Sequence, residues 1–149
     1  MTQKPSSSGT RPLEELGAEV RAAVARVYRR FRSERPAGEL GDAAMSVLVY
    51  LERQGPQSLT ALSERDRVTP GTMSQTVNRL TSAGYAVRNP DPVDRRRVLF
   101  SATDAGSAVA KESRARAESW LNAQIAALTD EERELLSRAS VVLKRLADG

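Results

Sequence analysis

The chain has 149 residues, 28% of them charged, with 23 Lys and Arg against 19 Asp and Glu for a formal net charge of +4. That length fits one domain, or one domain with an oligomerising extension, and can bury about two-thirds of its unfolded surface. Cysteine and histidine are both absent. Their absence excludes a disulfide framework and thiol redox sensing, and it removes the preferred zinc and copper ligands and the commonest acid–base group at neutral pH.

Met1 to Pro12, rich in Pro, Ser, Gly and Thr, is expected to be a disordered tail (residues 1–12) without the apolar core of a signal peptide. From there a single domain over residues 13–149 is expected. Leu13, Leu16, Val20, Ala23, Val27 and Phe31 recur near heptad spacing, which predicts a helix over Leu13–Ser33 that Pro36 and Gly38 end. A second helix is expected from about Glu39 to Gln54, through Met45, Leu48, Val49 and Leu51, stopping at Gly55-Pro56. The most apolar stretch, Ala43 to Leu51, is too short to span a bilayer. A cytoplasmic protein without membrane contact is therefore expected.

Ser58 is placed to N-cap a short third helix with Leu59 and Leu62 as core residues. Thr69 caps a fourth, in which Pro70 occupies the first helical position and loses no needed hydrogen bond. Met73, Val77 and Leu80 share one face of that helix, and Gly84 stops it. Two strands should follow, about Tyr85 to Arg88 and Arg97 to Ser101. The alternation of Tyr85 and Val87, then Val98 and Phe100, suggests a half-buried ribbon. Asn89 to Asp94, with Pro90 and Pro92, reads as a loop.

Thr103 is positioned to cap a long fifth helix toward Leu128, whose middle, Lys111 to Glu118, reads as a solvated connector. Thr129 to Glu132 spells a capping box for a sixth helix with the apolar stripe Leu135, Leu136, Ala139, Val142, Leu143 and Leu146. The predicted fold is mainly α with a small β-ribbon. It comprises a winged helix-turn-helix over about 40–101 and terminal helices over about 13–35 and 103–147. Both terminal stripes are too large for one chain to cover, so pairing with a second copy is expected.

The fourth helix exposes Gln75, Asn78, Arg79 and Ser82 opposite its core face, flanked by Thr72 and Thr76. Gln and Asn can pair with adenine, Arg with guanine, and a Thr methyl can meet a thymine methyl. The plain alternative is a solvated helix surface. From Pro70 to Gly84, however, there is no Asp, Glu or Lys, whereas an ordinary exposed helix usually carries charges of both signs and a face that must meet a polyanion excludes carboxylates. Arg88, Arg95, Arg96 and Arg97 flank the proline-stiffened loop, which suits a narrow, electronegative minor groove. Glu64 to Phe100 holds seven arginines against four acids.

These residues resemble the MarR (multiple antibiotic resistance regulator) family. Its wing signature, Asp-x-Arg, five residues, Leu-Thr, two residues, Gly, is matched by Asp94-Arg95-Arg96, Arg97 to Ser101, Ala102-Thr103, Asp104-Ala105 and Gly106. Ala102 replaces the Leu. Leu59 to Leu62, Thr69 to Thr72 and Asn78 to Leu80 follow the family's helix-turn-helix, with Arg67 where Gly or Asn is commoner. The resemblance implies that Arg96, beside Arg95 and Arg97, enters the minor groove, that Asp94 orients it, and that Arg79 lies near the DNA backbone. Thr72, Ser74, Gln75 and Asn78 would read bases.

The resemblance further implies a homodimer built from the first, fifth and sixth helices. Such dimers bind double-stranded DNA as repressors at inverted repeats, and some are released by small aromatic or lipophilic effectors. An effector site between the dimer helices and the winged region would draw on Tyr28, Phe31, Met45 and Val49, whose plain alternative role is core packing. No cofactor, metal or enzymatic activity is expected. The rival function is a winged-helix protein-interaction module that has given up DNA, against which the acid-free helix and the arginine wing both speak.

Overall fold

The computed structural model describes residues 11–34 and 40–149. The tail through residue 10, the break at Pro36 and Gly38, and a helix start at Glu39 lie outside those residues. The elements run α1 (Leu13–Ser33), α2 (Asp42–Gln54), β1 (Gln57–Ser58), α3 (Leu59–Asp66), α4 (Pro70–Ser82), β2 (Ala86–Pro90), β3 (Val98–Ala102), α5 (Asp104–Ala126) and α6 (Asp130–Asp148).

Four of the helices start where a hydroxyl satisfies a free backbone N–H. Ser58 Oγ accepts from Ala61 N at 3.1 Å, Thr69 Oγ1 from Thr72 N at 3.2 Å, and Thr103 Oγ1 from Gly106 N at 3.1 Å. At α6 the cap is reciprocal. Thr129 Oγ1 accepts from Glu132 N at 3.2 Å while the Glu132 carboxylate accepts from Thr129 N at 2.8 Å. Each cap contributes about 0.5–2 kcal/mol. The α5–α6 turn is tied by Arg133, which donates to the Ile125 and Ala126 carbonyls at 3.2 and 2.7 Å and so satisfies the end of α5.

The core lies between α2, α3, α4 and the sheet. Val47, Leu48, Leu51, Leu62, Met73, Val77 and Leu80 are its fully buried large side chains, each worth about 1.5–3 kcal/mol of burial. Phe100 closes the core from the sheet and Ala110 from α5.

The ribbon expected from the sequence is a three-stranded antiparallel sheet in the order β1-β3-β2. Gln57 and Ser58 pair with Phe100 and Leu99, a contact too short to leave any alternation in the sequence. β2 also runs on through Asn89 and Pro90, which had read as loop. Pro90 is tolerated because β2 is an edge strand and ends there. The inward faces differ too. Ala86, not Val87, points into the core, and Val87 is 40% exposed. Gly84 turns the chain from α4 toward β2 with a φ of 77°.

The middle of α5 is not a solvated connector. Ala110, Ser113 and Ala117 form a buried stripe, and α2 packs on α5 along it. Small side chains let the two backbones approach. Glu52, only 11% exposed, reinforces the seam by pairing with Arg114 at 3.0 Å and Lys111 at 4.0 Å.

By contrast, α1 and α6 contain no buried residue at all. Leu13 is 80% exposed and Leu135 61%, and Leu16, Val24, Leu136, Val142 and Leu146 are open as well. The predicted stripes exist, and this chain alone leaves them uncovered. Among the described residues no helix is long and apolar enough to cross a membrane.

Candidate nucleic-acid interface

Thr69 caps α4 and Pro70 takes its first position, and the whole first turn, residues 69–72, is exposed. Met73, Val77 and Leu80 hold one face of the helix against the core. The other face presents Thr72, Gln75, Asn78 and Arg79, all exposed, while Ser74 is half-buried at the border. Thr72 Oγ1 lies 3.0 Å from Thr69 Oγ1, so it belongs to the cap as well as to the surface. Among the described residues the side chains of Gln75, Asn78 and Arg79 carry no intramolecular hydrogen bond or ion pair. Arg79 reaches toward the start of α2, where a Cβ on Gly41 would sit 3.6 Å from Nη1.

The wing is stiffened by its own acids. Asp91 accepts from Val93 N at 2.8 Å, and Asp94 accepts from Arg96 N at 3.1 Å. Across the hairpin, Asp91 N donates to the Arg97 carbonyl and Arg97 N to the Asp94 carbonyl, both at 2.9 Å. Both carboxylates are thus occupied with local backbone. Asp94 Oδ1 also lies 4.0 Å from Arg96 Nε, and the Arg96 side chain is 96% exposed. Arg95 and Arg97 are exposed too. The tip adds an apolar group that no sequence pattern singles out: Val93, 95% exposed.

The base of the wing is locked to α5. Thr103 N donates to the Tyr85 carbonyl at 3.0 Å, and Thr103 Oγ1 donates to the Gly84 carbonyl at 2.7 Å. Gly106 packs so closely that a Cβ on it would lie 1.9 Å from the Tyr85 oxygen. Threonine and glycine are required here by that approach, whereas Ala102 in place of Leu only packs against the core.

The four residues considered for an effector do not converge. Phe31 and Val49 line a cavity of about 310 Å³ with Tyr50, Arg65, Arg114 and Ala117, between α1, α2, α3 and α5. Met45 is part of the core, and Tyr28 sits on the outer groove of α1 beside Leu146. Trp120 meets Phe31 edge-on at 5.9 Å, a packing contact. Arg65, missed in the sequence, stacks over Tyr50 at 4.4 Å and donates to Ser46 at 3.1 Å. Arg65 lies on α3 and Tyr50 and Ser46 on α2, so the contact spans two helices and has no local signature in the sequence. Among the described residues no group of three or more acids could hold a metal ion.

Known proteins share this arrangement. The family model described as MarR family matches residues 39–97. An HTH-type transcriptional regulator of Mycobacterium bovis, Mb0904, is 31% identical over 133 residues, covering 89% of this chain and 93% of that protein. The structure of Bordetella bronchiseptica BpsR, whose DNA binding is regulated by 6-hydroxynicotinic acid, superposes with a TM-score of 0.72 at 27% identity, covering 95% of this chain and 99% of that one. A MarR family protein from Bacillus stearothermophilus superposes with a TM-score of 0.82 at 19% identity, over 95% and 99% of the two chains, a likeness of fold.

Proposed function

Because the chain belongs to the MarR family of transcriptional regulators, we propose that it acts as a homodimeric repressor seated on duplex DNA and released by a small ligand. It is a DNA-binding regulator with a winged helix-turn-helix, not an enzyme. The observation that carries the finer reading is the exposed, acid-free face of α4, on which Gln75, Asn78 and Arg79 keep their side chains out of any internal bond among the described residues, beside an arginine wing. A protein-interaction module has no need of that combination and is not favoured.

In this reading residues 13–149 form one domain, working in the cytoplasm. The winged part (about 40–101) docks on DNA while the helices over about 13–35 and 103–147 pair with a second copy. Each α4 lies in a major groove, where Thr72, Ser74, Gln75 and Asn78 read bases and Arg79 meets the backbone. Each wing enters the flanking minor groove through Arg96, with Asp94 setting its direction and Arg95 and Arg97 beside it. Half-sites then lie about 34–36 Å apart, one helical turn.

Selecting bound fragments from the source genome tests this directly. The expected result is an inverted repeat with that spacing, and enrichment of single half-sites would overturn the dimeric reading. On the selected operator, Gln75→Ala should lose about 1–3 kcal/mol of discrimination between bases. Equal weakening on every sequence would make Gln75 a positioning residue instead.

The ligand is a small aromatic or lipophilic molecule held in the cavity that Phe31 and Val49 line. BpsR, regulated by an aromatic acid, supports that class. Val49→Phe should fill the space, leaving operator binding intact and abolishing release by any compound that raises the melting temperature of the native protein. Release that persists in this variant places the effector elsewhere.

A further inference from the structure

The consecutive wing arginines do not share one environment. Arg96 stands at the tip with its side chain in solvent. Arg97 sits at the base, where its backbone closes the hairpin, and its side chain lines a groove of about 230 Å³ with Arg88 of β2 and with Ser58 and Thr60 at the start of α3. Arg88 lies opposite Phe100 in the sheet, with its guanidinium 5.7 Å from the centroid of that ring. The aromatic face steadies the cation without neutralising it.

No acid lines this groove. Among the described residues neither Arg88 nor Arg97 has an ion-pair partner, and the Thr60 hydroxyl has no hydrogen-bond partner. Elsewhere in the molecule, Arg65, Arg114 and Arg133 each meet a carboxylate within 3.0 Å. Two arginines with no counter-charge lining one groove, beside a free hydroxyl, make a site for a tetrahedral anion with oxygen acceptors.

We propose that this groove takes a phosphodiester of the DNA backbone, so that Arg88, Arg97 and Thr60 form a clamp at the base of the wing. The clamp is separate from the reach of Arg96 into the minor groove, and it rests on the DNA-binding reading above. It carries no sequence information. Its effect is to fix the depth and angle of the wing. The arginine triplet thus divides its labour: the tip reads groove shape, and the base grips the backbone.

The test is fluorescence anisotropy of the full chain with a mixed-sequence duplex of about three helical turns, titrated between about 50 and 200 mM salt. Arg88→Gln and Arg97→Gln should each flatten the salt dependence by roughly 0.9 in slope, so that affinity falls about 3.5-fold less across that range. Arg88→Lys should restore the slope, and any preference for A·T-rich flanks should survive Arg88→Gln but not Arg96→Ala. Thermal melting of Arg88→Gln checks that the Phe100 contact is not needed for folding. Should that variant unfold, Arg97→Gln decides alone. Native binding with an unchanged slope in the Gln variants overturns the clamp and leaves the DNA reading standing, as it would if the groove served an acidic protein. No binding by the native chain at any salt overturns both.

Discussion

Tyr85 occupies the space that a side chain at position 106 would need. The clash in Gly106→Ala is between a methyl and a backbone oxygen at 1.9 Å, so no rotamer change relieves it and α5 must shift off β2. The variant should lose more than about 2 kcal/mol in urea denaturation, and stability within about 0.5 kcal/mol of wild type would show that the joint is plastic. Arg67 is the opposite case. It caps α3 in the left-handed region at φ of 53°, where a Cβ is strained, so Arg67→Gly should gain about 0.5–1 kcal/mol. At the wing, Arg96→Ala should flatten the salt dependence by roughly one unit on every sequence. An unchanged slope would remove Arg96 from the interface.

At the level of elements, the α2–α5 seam depends on small side chains. Ala110 is fully buried in it, and Ala110→Leu should cost about 1–3 kcal/mol by forcing the helices apart, measured by thermal or urea unfolding. The helices and their caps were legible because hydroxyl, proline and glycine signals act over three or four residues, as at Ser58, Thr69, Thr103 and Thr129. The seam was not. Ala110, Ser113 and Ala117 carry little hydropathy, and the Lys, Glu and Arg residues between them dominate the local pattern. β1 was equally silent, since Gln57 and Ser58 become a strand only by pairing with residues some forty positions later. Val87 was read inward because Tyr85 and Val87 alternate correctly, but it is Ala86, between them, that is buried in the core, so the faces are exchanged. The polar face of α4 and the wing arginines were readable from residue type alone. The groove shared by Thr60, Arg88 and Arg97 was not, because its three contributors come from three elements.

For the whole molecule, the open apolar faces of α1 and α6 are where the proposed assembly is tested. If a second copy covers them, Leu136→Arg together with Leu143→Arg should give a monomer in sedimentation velocity with helix content retained. Operator affinity should fall by at least about a hundredfold as the two half-sites become independent. A native chain that sediments as a monomer would sink the homodimer. The joint of Thr103 and Gly106 with Gly84 and Tyr85 then has a mechanical consequence. Helix α5 is about 34 Å long, running at one end into the turn before α6 and fused at the other to the hairpin. A tilt of about 5° at the far end swings that hairpin by roughly 3 Å, close to the 3.4 Å step between base pairs. In the proposed dimer, a ligand would need only to lean this rod slightly to put both wings out of step with the grooves they would straddle.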